Sequence, residues 1–329
     1  MEVNEIIGID ASKLTLDCCI HSSGQQDVFD NNPEGIDRLL DWVSTRVLVK
    51  KEQILFVFEN TGLYTIKLID GLQERRFLMY VASGLEIRRS LGIARGKDDK
   101  ADAKRIALYG YRLKEDIEPY SPPSSAIIKL KRLMSIRRKL VVQLAGYVAN
   151  LKEQKRVLND DEILFNVQEN VMSVLQAQIK VVEKEMNRII KEEPELAKLQ
   201  QLITSVKGIG PVTARFLIIY TAGFTSFQSW RKFASYVGIA PFPNRSGTSI
   251  KGRNKVSNLA NKEGKTLLHM CAASAIQCSP EIKVYYERRL AKGKHKMSTL
   301  NIIRNKLLSR AFAVVARGTP YVNTMKYAS

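Results

Sequence analysis

Three carboxylates fall within five residues in the segment Lys97-Asp98-Asp99-Lys100-Ala101-Asp102. An apolar helical pattern follows at Ile106, Ala107 and Tyr109, so a helix starting near Asp99 sets Asp99 and Asp102 one turn apart on one face. Such a pair has two uses. It can cap the helix, accepting free amide hydrogens and complementing the dipole, or it can hold a hard cation. Two more acids bear on the choice: Asp10 closes the apolar run Glu5–Ile9, and Glu59 closes Ile54–Phe58. A carboxylate beside a buried strand is costly unless it is solvated, paired or bound to metal. Two strand-end acids plus a helical Asp pair make the metal reading the better one. Four carboxylates without His or Cys are hard oxygen ligands suited to Mg²⁺ or Mn²⁺. Two such ions can polarise a phosphodiester and activate or orient its nucleophile.

A second chemical candidate lies far downstream. Gly238–Ser249 is rich in Gly, Pro and small polar residues and reads as a loop, with Arg245, Lys251, Arg253 and Lys255 around it. A serine in such a loop ordinarily just turns the chain. To act as a nucleophile, its hydroxyl needs a base, a metal or electrostatic help, and no Ser-His-Asp set is evident.

The elements that must position these residues can be read from the hydrophobic pattern. Glu5–Ile9 and Leu14–Ile20 read as an antiparallel strand pair. Pro33-Glu34-Gly35 opens a helix with Ile36, Leu39, Leu40 and Val43 on one face. Ile54–Phe58 is a short, wholly apolar run that suits a central strand covered on both faces. A helix over Leu63–Leu72 and a strand over Phe77–Val81 complete a mixed α/β sheet domain over residues 1–120. Ser121-Pro122-Pro123-Ser124-Ser125 marks a boundary. Beyond it, Leu130, Leu133, Ile136, Leu140, Leu144, Val148 and Leu151 step by three or four, and Val171 to Ile189 repeat the pattern. Residues 121–198 therefore read as a long helical hairpin or coiled coil, serving as a spacer or as a dimerisation element.

The third region, residues 199–329, is mostly helical and carries the charge. It holds 21 Lys/Arg against three acids, so nearly all of the chain's +19 resides there. That asymmetry implies a polyanionic partner. Lys207-Gly208-Ile209-Gly210 between two apolar helices looks like a helix-hairpin-helix element. Its glycines let the backbone approach a phosphate, and the next helix offers free amides. Arg288, Arg289, Lys294 and Lys296 form a further basic segment expected to follow a nucleic-acid backbone. Lys97, Lys100, Lys104 and Arg105 are expected to do the same beside the acids. The first residues lack a signal-peptide pattern, no run is long enough to span a membrane, and the four cysteines lack metal-site spacing. A reducing cytoplasm is the expected setting.

Together these motifs resemble a known family. Gly8-Ile9-Asp10, Phe58-Glu59-Asn60-Thr61-Gly62 and Asp99-Lys100-Ala101-Asp102-Ala103 look like the D-E-D-D set of the insertion-sequence transposases related to the Piv and MooV invertases. Val206–Pro211, Tyr236–Pro241 and Ser246-Gly247 match the second half of that pattern in the same order. The resemblance implies a RuvC-like domain of the ribonuclease-H-like fold, a coiled-coil linker and a C-terminal transposase domain. It implies Asp10, Glu59, Asp99 and Asp102 as Mg²⁺ ligands and Ser246 as the nucleophile that holds a cut strand as phosphoserine. It also implies a structured guide (bridge) RNA pairing donor and target double-stranded DNA, a homo-oligomer (dimer or tetramer), and a bacterial, nucleoid-associated enzyme. Asp98 falls outside the motif spacing, and Ser249 is a neighbouring alternative to Ser246. Where the family often has an Arg in the helix after Gly264, this sequence has His269. Two other readings of the same residues are a metal-dependent junction nuclease and a non-catalytic nucleic-acid-binding protein.

Overall fold

The computed structural model describes residues 2–90, 99–158, 161–227, 229–246 and 250–322. For Asp99, Lys100, Arg245, Ser246, Ile250, Lys251 and Arg253 it describes the backbone alone. The chain divides into two units, Met1–Pro122 and Pro123–Ser329, parting within the Ser121–Ser125 stretch.

The first unit runs β1 (Glu5–Ala11), β2 (Thr15–Ile20), β3 (Gln26–Asp30), α1 (Pro33–Arg46), β4 (Ile54–Glu59), α2 (Ile66–Glu74), β5 (Leu78–Ala82), α3 (Gly84–Ser90) and α4 (Asp99–Leu113). The strands form one mixed sheet in the order β3-β2-β1-β4-β5. β1 pairs antiparallel with β2 and parallel with β4, and β5 continues the parallel half. Central strands covered on both faces read as near-continuous apolar runs, as Ile6–Ile9 of β1 and Ile54–Phe58 of β4 do. Ile7, Ile9, Phe56 and Phe58 join Ile36, Leu39 and Leu40 of α1 and Leu68 and Leu72 of α2 in one core. Ile6, Leu55 and Val57 pack with Ile106 and Tyr109 of α4 in the other. The Asn32 side chain accepts the Gly35 amide at 2.7 Å and Pro33 takes the first turn, which fixes the start of α1.

β3 is an addition to the expected pattern. Gln26–Asp30 is polar, and Phe29 is its one buried residue. As an edge strand it is held by main-chain pairing with β2, so it shows little of the apolar alternation by which strands are recognised.

The second unit contains α5 (Ser125–Val157), α6 (Glu162–Glu192), α7 (Pro194–Thr204), α8 (Pro211–Tyr220), α9 (Trp230–Tyr236), β6 (Pro241–Ser246), β7 (Ile250–Val256), α10 (Lys262–Cys278), α11 (Pro280–Ala291) and α12 (Lys296–Arg317). α5 and α6 form an antiparallel hairpin, bridged by Arg137 to Glu183 at 2.7 Å and by Lys155 to Glu169 at 2.6 Å. The periodicity predicts this hairpin as a linker over residues 121–198. Its base nevertheless shares a core with the helices C-terminal to it: Leu130, Met134, Met186 and Ile189 belong to the same buried cluster as Phe216, Phe233, Leu268 and Ile303. α8 lies at the centre, with Phe216, Leu217 and Ile218 fully buried.

Composition predicts a loop over Gly238–Ser249. Instead, residues 241–246 pair antiparallel with residues 250–256, with a register shift between Phe242 and Asn244. Main-chain pairing, not burial, makes this hairpin, and Pro241 and Pro243 hide it from a reading based on periodicity. Among the described residues no helix is long and apolar enough to cross a membrane.

One contact sets the distance between α4 and the sheet. A Cβ on Gly8 would lie 2.7 Å from the Ala107 Cα, with the Ala107 nitrogen and Ala103 carbonyl oxygen nearer still. Gly8→Ala must therefore push α4 off β1, with a loss of about 1–3 kcal/mol expected from overpacking. By contrast, a Cβ on Gly146 in mid-α5 meets nothing, and Gly146→Ala is expected to add roughly 0.5–1 kcal/mol through helix propensity. Denaturant titration of the two variants checks both signs.

Candidate active site

The acidic residues gather at one edge of the sheet because of strand alternation and the course of α4. Side chains two apart on a strand share a face. Ile6 and Gly8 face α4, so Asp10 does too; Val57 faces α4, so Glu59 does as well. Ile9 pairs with Phe58, and one residue further on Asp10 and Glu59 stand side by side at the C-terminal ends of two parallel strands. In open α/β sheets this is the edge where ligands bind.

α4 runs antiparallel to β1. Its Gly110 lies against Ile6 and Val57, while Ala103 and Ala107 lie against Gly8. Continuing this course carries the first turn, Asp99 to Asp102, to the level of Asp10. Asp102 is ion-paired with Arg105 one turn on, Nη1 to Oδ1 2.8 Å, both side chains less than one-third exposed. The sequence reading turns Arg105 toward nucleic acid; in the structure it turns back onto the acid. Asp99 begins the helix and its side chain lies outside the described residues, as do Lys97 and Asp98.

Glu59 is fitted against bare backbone. A Cβ on Gly84 would lie 2.9 Å from Oε2 of Glu59 and closer to the rest of its carboxylate. The neighbouring loops are tied in place: the Thr61 hydroxyl donates to the Ala11 carbonyl at 3.4 Å and the Asn60 amide to Ala82 at 3.0 Å. Among the described residues no three acids, histidines or cysteines are drawn closely enough around one point to hold an ion as they stand. In donor chemistry and placement on one edge, Asp10, Glu59 and Asp102 fit a hard divalent ion. Cys19, buried near Gly8 against Ala103 and Ala107, does not compete. Burial pushes its thiol above the ordinary range, which keeps it protonated.

The other candidate elements lie in the second unit. Ser246 is the last residue of β6 and pairs with Ile250; Ser249 lies outside the described residues. The chain entering this hairpin is gripped from α12, where the Asn301 and Asn305 amides both donate to the Ile239 carbonyl, at 2.9 and 3.1 Å. The chain leaving it is held by Asn261, whose amide donates to the Tyr236 carbonyl at 2.9 Å and whose side chain donates to the Tyr236 hydroxyl at 3.1 Å. Between the two α12 asparagines, buried Arg304 places Nη2 2.6 Å from Nδ1 of His269. An arginine only donates, so the histidine accepts at Nδ1 and carries its proton on Nε2. Burial and the guanidinium both push His269 below its ordinary value, favouring this neutral form. A permanent charge is thus present beside His269, supplied from a helix that the sequence motif does not include.

Arg245, Lys251 and Arg253 are placed on the two strands by backbone only, and Lys255 on β7 is exposed. Lys207 and Gly210 are exposed at the entry to α8, whose cap at Gly210 has no side chain accepting its amides. Gly208 takes a φ of 97° and lies against Ala275, so it fixes this turn on α10. Arg288 in the last turn of α11, Lys294 in the turn that follows and Lys296 at the start of α12 are exposed, with Arg289 half-buried. The structure thus places the expected basic residues on three separate turns or hairpins.

Comparisons with known proteins match two stretches of this chain. Residues 7–157 match the profile of a transposase family with the DEDD acid set, and residues 200–287 match that of the transposase IS116/IS110/IS902 family. The chain is 30% identical over 325 residues to pilin gene-inverting proteins of Moraxella lacunata and Moraxella bovis, covering 96% of this chain and 97% of theirs. It is also 30% identical over 155 residues to a 43.6 kDa protein of insertion element IS110 from Streptomyces coelicolor, covering 47% of this chain and 37% of that one. The chain therefore belongs to the IS110 family of insertion-sequence transposases, enzymes that cleave DNA and transfer its strands.

Proposed function

We propose that this transposase is an RNA-guided recombinase that cuts and rejoins DNA through a phosphoserine intermediate, assisted by a divalent-metal site of the RuvC (ribonuclease-H-like) type. The observation that carries the metal half is the seating of α4 on Gly8, which brings the level of Asp102 to that of Asp10 and Glu59. Mg²⁺ or Mn²⁺, when bound there, would supply charge to polarise a phosphodiester and lower the barrier to nucleophile activation. Asp10, Glu59, Asp99 and Asp102 would hold it.

The protein's own chemistry then begins at serine. Ser246 Oγ attacks phosphorus and loses its proton; the P–O bond to the neighbouring deoxyribose breaks, and that oxygen leaves as a hydroxyl. One strand end is now esterified to serine. Attack by a hydroxyl from another strand reverses the chemistry and releases Ser246, so the number of phosphodiesters is conserved. The same cut-and-rejoin step serves transposition and inversion alike. Arg245, Lys251, Arg253 and Lys255 would neutralise the phosphate under attack. Lys207, Gly208 and Gly210, in a helix-hairpin-helix-like turn, and Arg288, Arg289, Lys294 and Lys296 would follow the backbone of DNA or RNA.

The family resemblance supports the remaining parts of this reading: a structured guide (bridge) RNA that pairs donor and target DNA, and a homo-oligomer. Residues 1–120 would act as the RuvC-like catalytic domain, 121–198 as a coiled-coil linker and 199–329 as the transposase domain, working in the bacterial cytoplasm at the nucleoid. Purification of the protein with its bound nucleic acid, followed by sequencing, tests the guide. A discrete structured RNA encoded by the element is the expected product; random cellular RNA would remove this part of the reading.

Two substitutions test the chemistry. Ser246→Ala is expected to abolish the denaturation-resistant protein–DNA adduct while DNA and RNA affinity stay within about twofold, as expected for a small change away from phosphate-contacting cations. An adduct that persists in this variant transfers the role to Ser249, and free nicked DNA with no adduct in the unsubstituted protein would favour a junction nuclease. Asp10→Ala or Asp102→Ala should each abolish Mg²⁺-dependent cleavage; full activity in either removes that residue from the metal site.

A further inference from the structure

Phe242 differs from every other phenylalanine of the chain. All eleven lie within the described residues, and Phe242 alone is exposed, at 46%. It joins none of the hydrophobic clusters. Tyr236, the exposed ring just upstream, is anchored: it packs 5.6 Å from both Phe227 and Phe233, and its hydroxyl accepts from the Asn261 side chain.

Single exposed apolar side chains are common on protein surfaces; the company of this one sets it apart. Lys255 stands directly opposite on β7 and is exposed, and opposed residues of an antiparallel pair project to the same face. An aromatic ring and an ammonium therefore share one side of the hairpin. Across the register shift, Pro243 on β6 is matched by Arg253 and Asn254 on β7, so the extra residue is on β7 and β6 keeps its alternation. Positions 242, 244 and 246 thus fall on one face of β6. A ring beside cations, with no acid between Pro241 and Val256, suits a phosphate chain whose bases are unpaired. Every base has a π-face to offer an aromatic side chain. A duplex keeps those faces in its own stack and needs the cations alone.

We propose that Phe242 is a base-stacking residue, holding one unpaired base of the DNA strand that Ser246 attacks, with Lys255 on an adjoining phosphate. The proposal rests on the reading of Ser246 as the nucleophile. Four residues of strand span about 13 Å. A stacked strand advances about 3.4 Å per nucleotide, so the held base lies within roughly four nucleotides of the cut. Stacking fixes the register of a flexible strand that cations by themselves leave free to slide.

The test uses the full-length protein and three fluorescent probes of one mixed sequence: single-stranded DNA, the same DNA as a duplex, and single-stranded RNA. Affinity is measured by anisotropy over a range of salt for the unsubstituted chain, Phe242→Leu and Phe242→Trp. Phe242→Leu is expected to weaken single-stranded DNA binding roughly tenfold, the middle of the range for one stacked base. Duplex binding should stay within about twofold, and the salt dependence should not change, because no phosphate contact is lost. Phe242→Trp should restore the affinity. Both variants should melt within about 2 °C of the unsubstituted chain, as exposed positions do. A parallel loss on RNA supports the stacking role, since a ring does not read the sugar. Equal losses on single strand and duplex, no loss on single-stranded DNA, or failure of Trp to restore binding overturns it. So does a loss confined to RNA, or an unsubstituted chain that does not bind single-stranded DNA. The reading of Ser246 has its own readout, the denaturation-resistant adduct. Selective loss in Phe242→Leu without any adduct in the unsubstituted chain removes the nucleophile and leaves Phe242 a base-binding residue. An adduct with single-strand affinity unchanged in Phe242→Leu removes the stacking role alone.

Discussion

The close seating of α4 on β1 is the contact on which the acidic half of this protein depends. A helix packed on a sheet through full-sized side chains stands off by roughly the usual sheet-packing distance of about 10 Å. Here Ala103, Ala107 and Gly110 face the sheet, and Gly8 faces back, so helix backbone rests almost on strand backbone. The arrangement gives up apolar area at those positions. Ile106 and Tyr109, packed against Ile6, Leu55 and Val57, anchor the flank of the same helix. The result is positional: a carboxylate on the first turn of α4 and carboxylates at the strand ends come to one level. Gly84 plays a smaller version of the same part, leaving room for the Glu59 carboxylate.

The electrostatics of the two units differ in kind. The acidic edge sits in a half of the chain that is close to neutral, while residues 201–329 hold nearly all of the net +19. A row of carboxylates repels a phosphate backbone unless cations intervene, so the edge is suited to DNA chemistry only in company with metal. Arg105 neutralises Asp102 in part. The basic unit has the opposite character, with cations on the β6–β7 hairpin, at the turn before α8 and between α11 and α12, each on a separate surface element.

Much of this arrangement is legible in the sequence. Short apolar runs that end in acids announce β1 and β4 with Asp10 and Glu59, and the step of three between Asp99 and Asp102 announces the start of α4. The features that stay hidden depend on partners distant along the chain. Gly8 reads as a residue of a strand; only the tertiary structure shows that it admits α4. The β6–β7 hairpin lacks apolar alternation, since main-chain pairing and the clamps from Asn261, Asn301 and Asn305 hold it. His269 reads as the loss of a family charge, yet Arg304, 35 residues later, supplies one.

The hairpin also constrains how its serine can react. Between Pro241 and Val256 there is no Asp, Glu or His, only Arg245, Lys251, Arg253 and Lys255 among ionisable side chains. Cations of this kind can stabilise an alkoxide and a phosphorane's charge, but they offer no acceptor for a hydroxyl proton. His269 is no substitute, because Arg304 occupies its Nδ1 and the proton sits on Nε2. The acidic edge has the complementary deficiency: carboxylate oxygens that can accept a proton, with no nucleophile of its own among Asp10, Glu59 and Asp102. On the proposed mechanism each half is chemically incomplete alone. Cleavage through serine therefore requires an acceptor brought to Ser246 from outside its hairpin.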